Sequence, residues 1–195
     1  LYQNIASATK LREMKRNNEN INDFIPYKLE DINCDIPYDI SNLDSAIISK
    51  LRLMTAEELQ NISEVTEGIE NRILSSANMS YSFETLVENV KNKRYTTSKI
   101  RRMIISALIG FTKDIYSPMP QYIRILGMNK VGMTILKQAK DICKVPIITK
   151  TADFKEQSPQ FNLDVHATNI AMLCNPIPTH RIGNADLKKS PIIMK

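Results

Sequence analysis

From Ile100 onward the apolar positions Met103, Ile104, Ala107, Leu108 and Phe111 recur three and four residues apart. That spacing predicts an amphipathic helix with one stripe facing a core. Ile105 and Ile109 add apolar surface on the other side, so the C-terminal half of this helix is expected to be buried nearly all round. Its first turn is polar and basic, and Thr96 or Thr97 is the expected N-cap. The same spacing predicts helices in LDSAIISKLRLM (43–54), AEELQNI (56–62), EGIENRILSSA (67–77) and FETLVENVK (83–91). Ser41 with Asp44 and Thr55 with Glu58 read as N-caps with an acid at the third helical position, the second being a full capping box. Leu11 and Met14 belong to a short helix, residues 17–23 form a polar break, and residues 24–40, with Pro26 and Pro37, read as an irregular surface stretch.

The pattern changes in the C-terminal third. QYIRILGM (121–128), VPIITK (145–150) and SPIIMK (190–195) are short β-branched runs bounded by Pro or Gly, the signature of strands. KVGMTILKQAKDIC (130–143) and NLDVHATNIAMLCN (162–175) lie between them with helical spacing. The predicted fold is therefore α+β and mainly α, a helical bundle followed by a small parallel or mixed sheet with right-handed crossover helices. The SPMP sequence near residues 116–120 marks a soft boundary, which divides the chain into 1–23, 24–116 and 117–195.

Composition narrows the class. The 195 residues are 43% hydrophobic, with 5 Gly and 9 Pro, as expected of a compact protein rather than a disordered one. No apolar run approaches the roughly 18 residues that cross a bilayer, so no membrane partner is expected. Cys34, Cys143 and Cys174 form no CxxC pair, which points to reduced thiols in the cytoplasm and to no zinc site. The chain opens at Leu1 without a secretory or transit leader, and its first residues read as the end of a domain, as in a fragment.

The net charge is +5, and its distribution says more than its size. Residues 91–102, KNKRYTTSKIRR, hold Lys91, Lys93, Arg94, Lys99, Arg101 and Arg102 with no acid, leaving 20 basic and 21 acidic side chains elsewhere. A localised patch of this kind suits a polyanion, and equally a solvated helix face. Cations at a helix N-terminus oppose the macrodipole by about 0.3 to 1 kcal/mol each. A phosphate held by the free N–H groups and the side chains would reverse that penalty. Tyr95, within the run, could stack on an unpaired base or simply cover the helix end. A second anion site is offered by IASATKLR (5–12), where Ser7 and Thr9 supply hydroxyls near a helix N-terminus and Arg12 lies one turn on. His166 and His180 show no metal-ligand spacing and read as packed or solvated. The acids between Glu57 and Glu70 read as solvated helix faces that pair with Arg52 and Arg72.

Four blocks in order, EGIENRI (67–73), KRYTTSKIRRM (93–103), PQYIRILGMNKVG (120–132) and DVHATNI (164–170), resemble the bacterial tRNA(Met) cytidine acetate ligase family. The resemblance covers most of the chain, and IASATKLR resembles the ISSTxxR-type element that closes a nucleotidyltransferase domain. It implies a full-length enzyme that uses ATP with Mg to activate acetate as acetyl-adenylate. The acetyl group then passes to the wobble cytidine of elongator tRNA(Met). Lys93, Arg94, Tyr95, Arg101 and Arg102 carry over as tRNA contacts. Lys99 stands where an Arg is more usual, keeping the charge without the planar fork. Ser7, Thr9 and Arg12 carry over as nucleotide-phosphate contacts. The sequence holds neither an HxGH motif nor a glycine-rich phosphate loop. The expectation is thus a C-terminal portion lacking the HxGH-containing domain, with no catalytic residue of its own, no tightly bound cofactor and no activity alone. In that reading 1–23 ends a nucleotidyltransferase-like domain, 24–116 binds tRNA and 117–195 is a small α/β subdomain. Two other classes fit the charge: a nucleotide-binding enzyme acting on a small molecule, and a helical protein-interaction module.

Overall fold

The computed structural model describes residues 6–25, 38–66, 68–117, 119–154 and 158–194. Most of the expected irregular stretch at 24–40 lies outside them. The helical part contains α1 (Ala8–Arg16), α2 (Asp44–Leu53), α3 (Ala56–Gln60), α4 (Glu70–Met79), α5 (Phe83–Val90) and α6 (Thr97–Ile109). The α/β part runs β1 (Ile123–Arg124), β2 (Gly127–Met128), α7 (Lys130–Ile142), β3 (Ile147–Ile148), α8 (Pro159–Met172), α9 (Ala185–Lys188) and β4 (Ile192–Ile193). The fold is α+β and mainly helical, as the periodicity predicts.

Local chemistry sets most helix ends. Thr55 and Glu58 form the expected capping box, with the Thr55 N–H donating to Glu58 Oε2 at 2.7 Å and the Glu58 N–H to Thr55 Oγ1 at 3.2 Å. Thr96 caps α6 by accepting from the Lys99 N–H, and Gly110 closes it with a left-handed φ of 74°. Ser41 is not an N-cap. Asp39 accepts from the Ser41 N–H and opens a 3-10 turn, Ile40–Leu43, that leads into α2. The Asp44 carboxylate is engaged elsewhere, accepting from the Phe83 N–H at the start of α5 at 2.8 Å.

The core lies between α2, α4, α5 and α6, where Ile47, Leu51, Ile73, Leu86, Ile100 and Met103 are fully buried. On α6 the stripe Ile100, Met103, Ile104 and Ala107 faces this core, whereas Ile105, Leu108 and Ile109 are only half-buried. The expected all-round burial is therefore met on one face only, and α8 is the α/β element that packs against α6, with Ile170 against the core.

The expected single sheet is two separate parallel ladders. Ile123 and Arg124 pair with Ile147 and Ile148, and Gly127 and Met128 pair with Ile192 and Ile193. The apolar run at 121–128 is thus divided between two ladders, with α7 and α8 as the crossovers. Little of this part is deeply packed: α7 has no buried residue, and Val131, Ile135 and Ile142 on it are exposed. α8 ends against the helical bundle, where the Cys174 carbonyl accepts from the Asp39 N–H at 2.8 Å and from Asn42 Nδ2 at 3.3 Å.

Candidate nucleic-acid interface

The basic segment is built on a tight turn. α5 ends at Val90, and the Asn92 side-chain oxygen then accepts from the N–H groups of Arg94 at 2.8 Å and Tyr95 at 3.1 Å. Asn92 and Tyr95 also form a backbone bridge, and Thr96 starts α6 at once. Lys93 and Arg94 therefore project from the turn, and Lys99, Arg101 and Arg102 from the first two turns of the helix.

These cations fall into two sets. Arg101 is ion-paired with Glu84 and lies over the Phe83 ring, and Arg102 Nε donates to both carboxylate oxygens of Glu64 at 3.0 Å. Each acid offsets the repulsion between its arginine and the positive end of α6. Lys91 reaches Glu88 at 3.5 Å. Among the described residues no acid pairs with Lys93, Arg94 or Lys99, and α6 has no acid in its first turn. Arg94 and Lys99 lie over the Tyr95 ring, at 5.4 and 5.3 Å from its centroid, while its hydroxyl shares a 2.6 Å hydrogen bond with Thr66 Oγ1. Tyr95 is half-buried and serves as a platform for two cations.

Ser7 caps α1, its hydroxyl accepting from the Lys10 N–H at 3.2 Å, and Thr9 and Arg12 are exposed on the same helix. No hydrogen bond among the described residues joins α1 to the basic segment; Arg16 instead donates to the Tyr38 carbonyl at 3.1 Å. Cys174 is buried, which pushes its thiol pKa up. His166 and His180 are exposed, and no cluster of metal-ligating side chains occurs among the described residues.

Among the described residues, Arg52 and Arg72 do not pair with the acids between Glu57 and Glu70. Both bond backbone carbonyls at helix ends, Arg52 at α4 and Arg72 at α5. Glu70 is buried rather than solvated: Oε1 accepts from Gln60 Nε2 at 3.0 Å, and Oε2 has no hydrogen-bond partner among the described residues. The Gln60 hydrogen bond, with backbone N–H groups at the helix start, holds its carboxyl below the usual glutamate range.

Tyr122 donates to Asp164, joining the blocks PQYIRILG and DVHATNI. Burial and then Asp164 push the phenol pKa up, so it stays a donor. Beside it Arg124 makes a two-pronged pair with the buried Asp186 at 2.5 and 2.6 Å. No sequence signal links residues 62 apart, and this joint was not anticipated.

The family model described as HIGH Nucleotidyl Transferase matches residues 1–186. The chain belongs to that family. As a HIGH nucleotidyl transferase it is 32% identical to the tRNA(Met) cytidine acetate ligase of Thermosipho africanus, over 97% of this chain and 52% of the relative. The enzyme of the same name from Clostridium botulinum is 31% identical over 100% of this chain and 49% of its own length. The crystal structure of Thermotoga maritima TmcAL bound with alpha-thio ATP superposes with a TM-score of 0.84 at 28% identity, covering 100% of this chain and 53% of that one. The chain spans about half the length of the relatives it matches.

The match corrects one expectation. Nearly the whole chain falls within the HIGH nucleotidyl transferase model, so the chain is not a region outside the HxGH-containing domain, although the tetrapeptide itself is absent from the sequence.

Proposed function

We propose that this chain is the tRNA-holding part of an ATP-dependent tRNA(Met) cytidine acetate ligase, with elongator tRNA(Met) as its partner. The observation that carries the reading is that Arg94 and Lys99 lie over the Tyr95 ring and Lys93 precedes them in the same turn at the start of α6, all three without an acidic partner among the described residues. Three cations so placed leave the helix end locally unfavourable, and phosphates docking there relieve it. Arg101 and Arg102 are held by carboxylates of α5 and of the turn before α4, which offset part of their charge. In this reading residues 24–116 carry the tRNA contacts and 117–195 form an α/β support.

Phosphate contacts of this kind position an RNA arm without reading its sequence. Adenylation of acetate with ATP and Mg, and transfer to the cytidine, are the reactions of the full-length cytoplasmic enzyme in this reading. Ser7, Thr9 and Arg12 suit the nucleotide's phosphates. The Ser7 oxygen accepts from the Lys10 N–H, its own hydroxyl proton meets no acceptor among the described residues, and Thr9 and Arg12 are exposed on the same helix. The names of the relatives, all tRNA(Met) cytidine acetate ligases, support the substrate class, and the alpha-thio ATP bound to the Thermotoga maritima protein supports the nucleotide.

The test is a titration of this chain with elongator tRNA(Met), with initiator tRNA(Met) as competitor, at two salt concentrations. Salt-sensitive binding that prefers the elongator is expected. Absence of binding, or equal binding to both, rejects the assignment of tRNA selection to this chain.

A further inference from the structure

Arg72 reaches the three carbonyls that immediately precede the basic turn. Its Nε donates to Val90 O at 2.7 Å, and its Nη2 to Lys91 O at 2.8 Å and to Asn89 O at 3.1 Å. The last carbonyls of a helix lack partners within it and carry its negative end, so a guanidinium there satisfies them and favours the macrodipole. One planar group bonded to three consecutive carbonyls also fixes the direction in which the chain leaves α5. The far end of the turn is tied to the same stretch, because Thr66 Oγ1 holds the Tyr95 hydroxyl at 2.6 Å. Thr66 and Arg72 thus clamp the entry and the exit of Asn92–Tyr95.

We infer that Arg72 is a positioning residue for tRNA binding, acting through the turn that carries Lys93 and Arg94 rather than by touching the RNA. The inference rests on the proposed tRNA role of that turn. Held in one geometry, the turn presents its cations without having to order them on binding. The fold contains a matched control. Arg52 makes the same kind of cap on α4, donating to Ala77 O at 3.1 Å, Ser80 O at 3.2 Å and Asn78 O at 3.4 Å. The residues that follow α4, Ser80 to Ser82, carry no cation.

The experiment compares Arg72→Ala, Arg72→Lys and Arg52→Ala in this chain. It measures elongator tRNA(Met) affinity over a salt series, well below the melting midpoint, and the midpoint itself. Arg72→Ala is expected to weaken binding about tenfold and to flatten the salt dependence by about one phosphate contact or more. Arg52→Ala should lower the midpoint to a similar extent and leave affinity and salt slope alone. Arg72→Lys, which keeps the charge without the fork, should resemble Arg72→Ala. Should Arg72→Ala fail to fold, Thr66→Val removes the exit tether alone and is expected to weaken binding about threefold with flattened salt dependence.

Wild-type affinity in Arg72→Ala or Thr66→Val, alongside weakened Arg94→Ala and Lys99→Ala, overturns the inference and leaves the tRNA reading standing. An equal loss in Arg52→Ala overturns it too, since the effect is then one of general stability. Wild-type affinity in Arg94→Ala and Lys99→Ala rejects the tRNA reading itself, and the inference with it.

Discussion

Arg102 holds both carboxylate oxygens of Glu64 at 3.0 Å, and Glu64 adopts a left-handed φ of 67° to meet it. This conformation is uncommon for a residue with a side chain. The pair is half exposed, so its contribution to stability is about 0.2–1 kcal/mol. Arg102→Ala should therefore lower the melting midpoint slightly and leave the salt slope of tRNA binding unchanged. Arg94→Ala should leave the midpoint near wild type and flatten the slope by about 0.7–0.9. Thermal melts and salt titrations of the two variants check both halves; an equal loss of slope in Arg102→Ala counts against the division of the cations.

Tyr95 separates a hydroxyl effect from a ring effect. Tyr95→Phe removes the hydrogen bond to Thr66 and keeps the face on which Arg94 and Lys99 lie. A stability loss of about 0.5–1.5 kcal/mol is expected in denaturant titrations. Tyr95→Ala removes the platform as well, and its tRNA affinity should fall below that of Tyr95→Phe.

Glu70 makes stability pH-dependent. Its carboxyl is held below the ordinary glutamate range by the Gln60 hydrogen bond and by backbone N–H groups. A depressed folded-state pKa stabilises the fold above the unfolded-state value, and that gain is lost as pH falls through the depressed value. Glu70→Gln should remove this part of the acid sensitivity, giving a shallower fall in unfolding free energy between about pH 6 and pH 3. An unchanged pH profile in the variant would show that Glu70 does not contribute it.

Burial predicts opposite outcomes for two isoleucines. Ile73 is fully buried between the helices of the bundle, and Ile73→Ala should destabilise by about 2–5 kcal/mol. Ile135 is exposed on α7, so Ile135→Ala should change stability by no more than about 0.5 kcal/mol. Paired denaturation curves decide the matter.

The sequence alone determined what short-range physics controls. The i, i+3, i+4 stripe of α6 is written in Ile100, Met103, Ile104 and Ala107, and the caps at Thr55 and Thr96 depend only on residues three positions away. The β-branched runs located the strands, because branched side chains suit a pleated backbone. Their separation into two ladders came instead from how Ile147 and Ile192 pair across the crossovers. The basic segment was legible as a charge run, but not which of its members are free. Glu84 lies 17 residues from Arg101 and Glu64 lies 38 from Arg102, and nothing local encodes either pairing. The sequence points Arg52 and Arg72 toward nearby acids because charge is visible in a sequence, whereas unpaired carbonyls at helix ends are not. Only the tertiary structure, which brings α4 beside α5 and the Asn92 turn beside Thr66, decided that these arginines hold backbone and that Lys93, Arg94 and Lys99 have no acidic partner among the described residues.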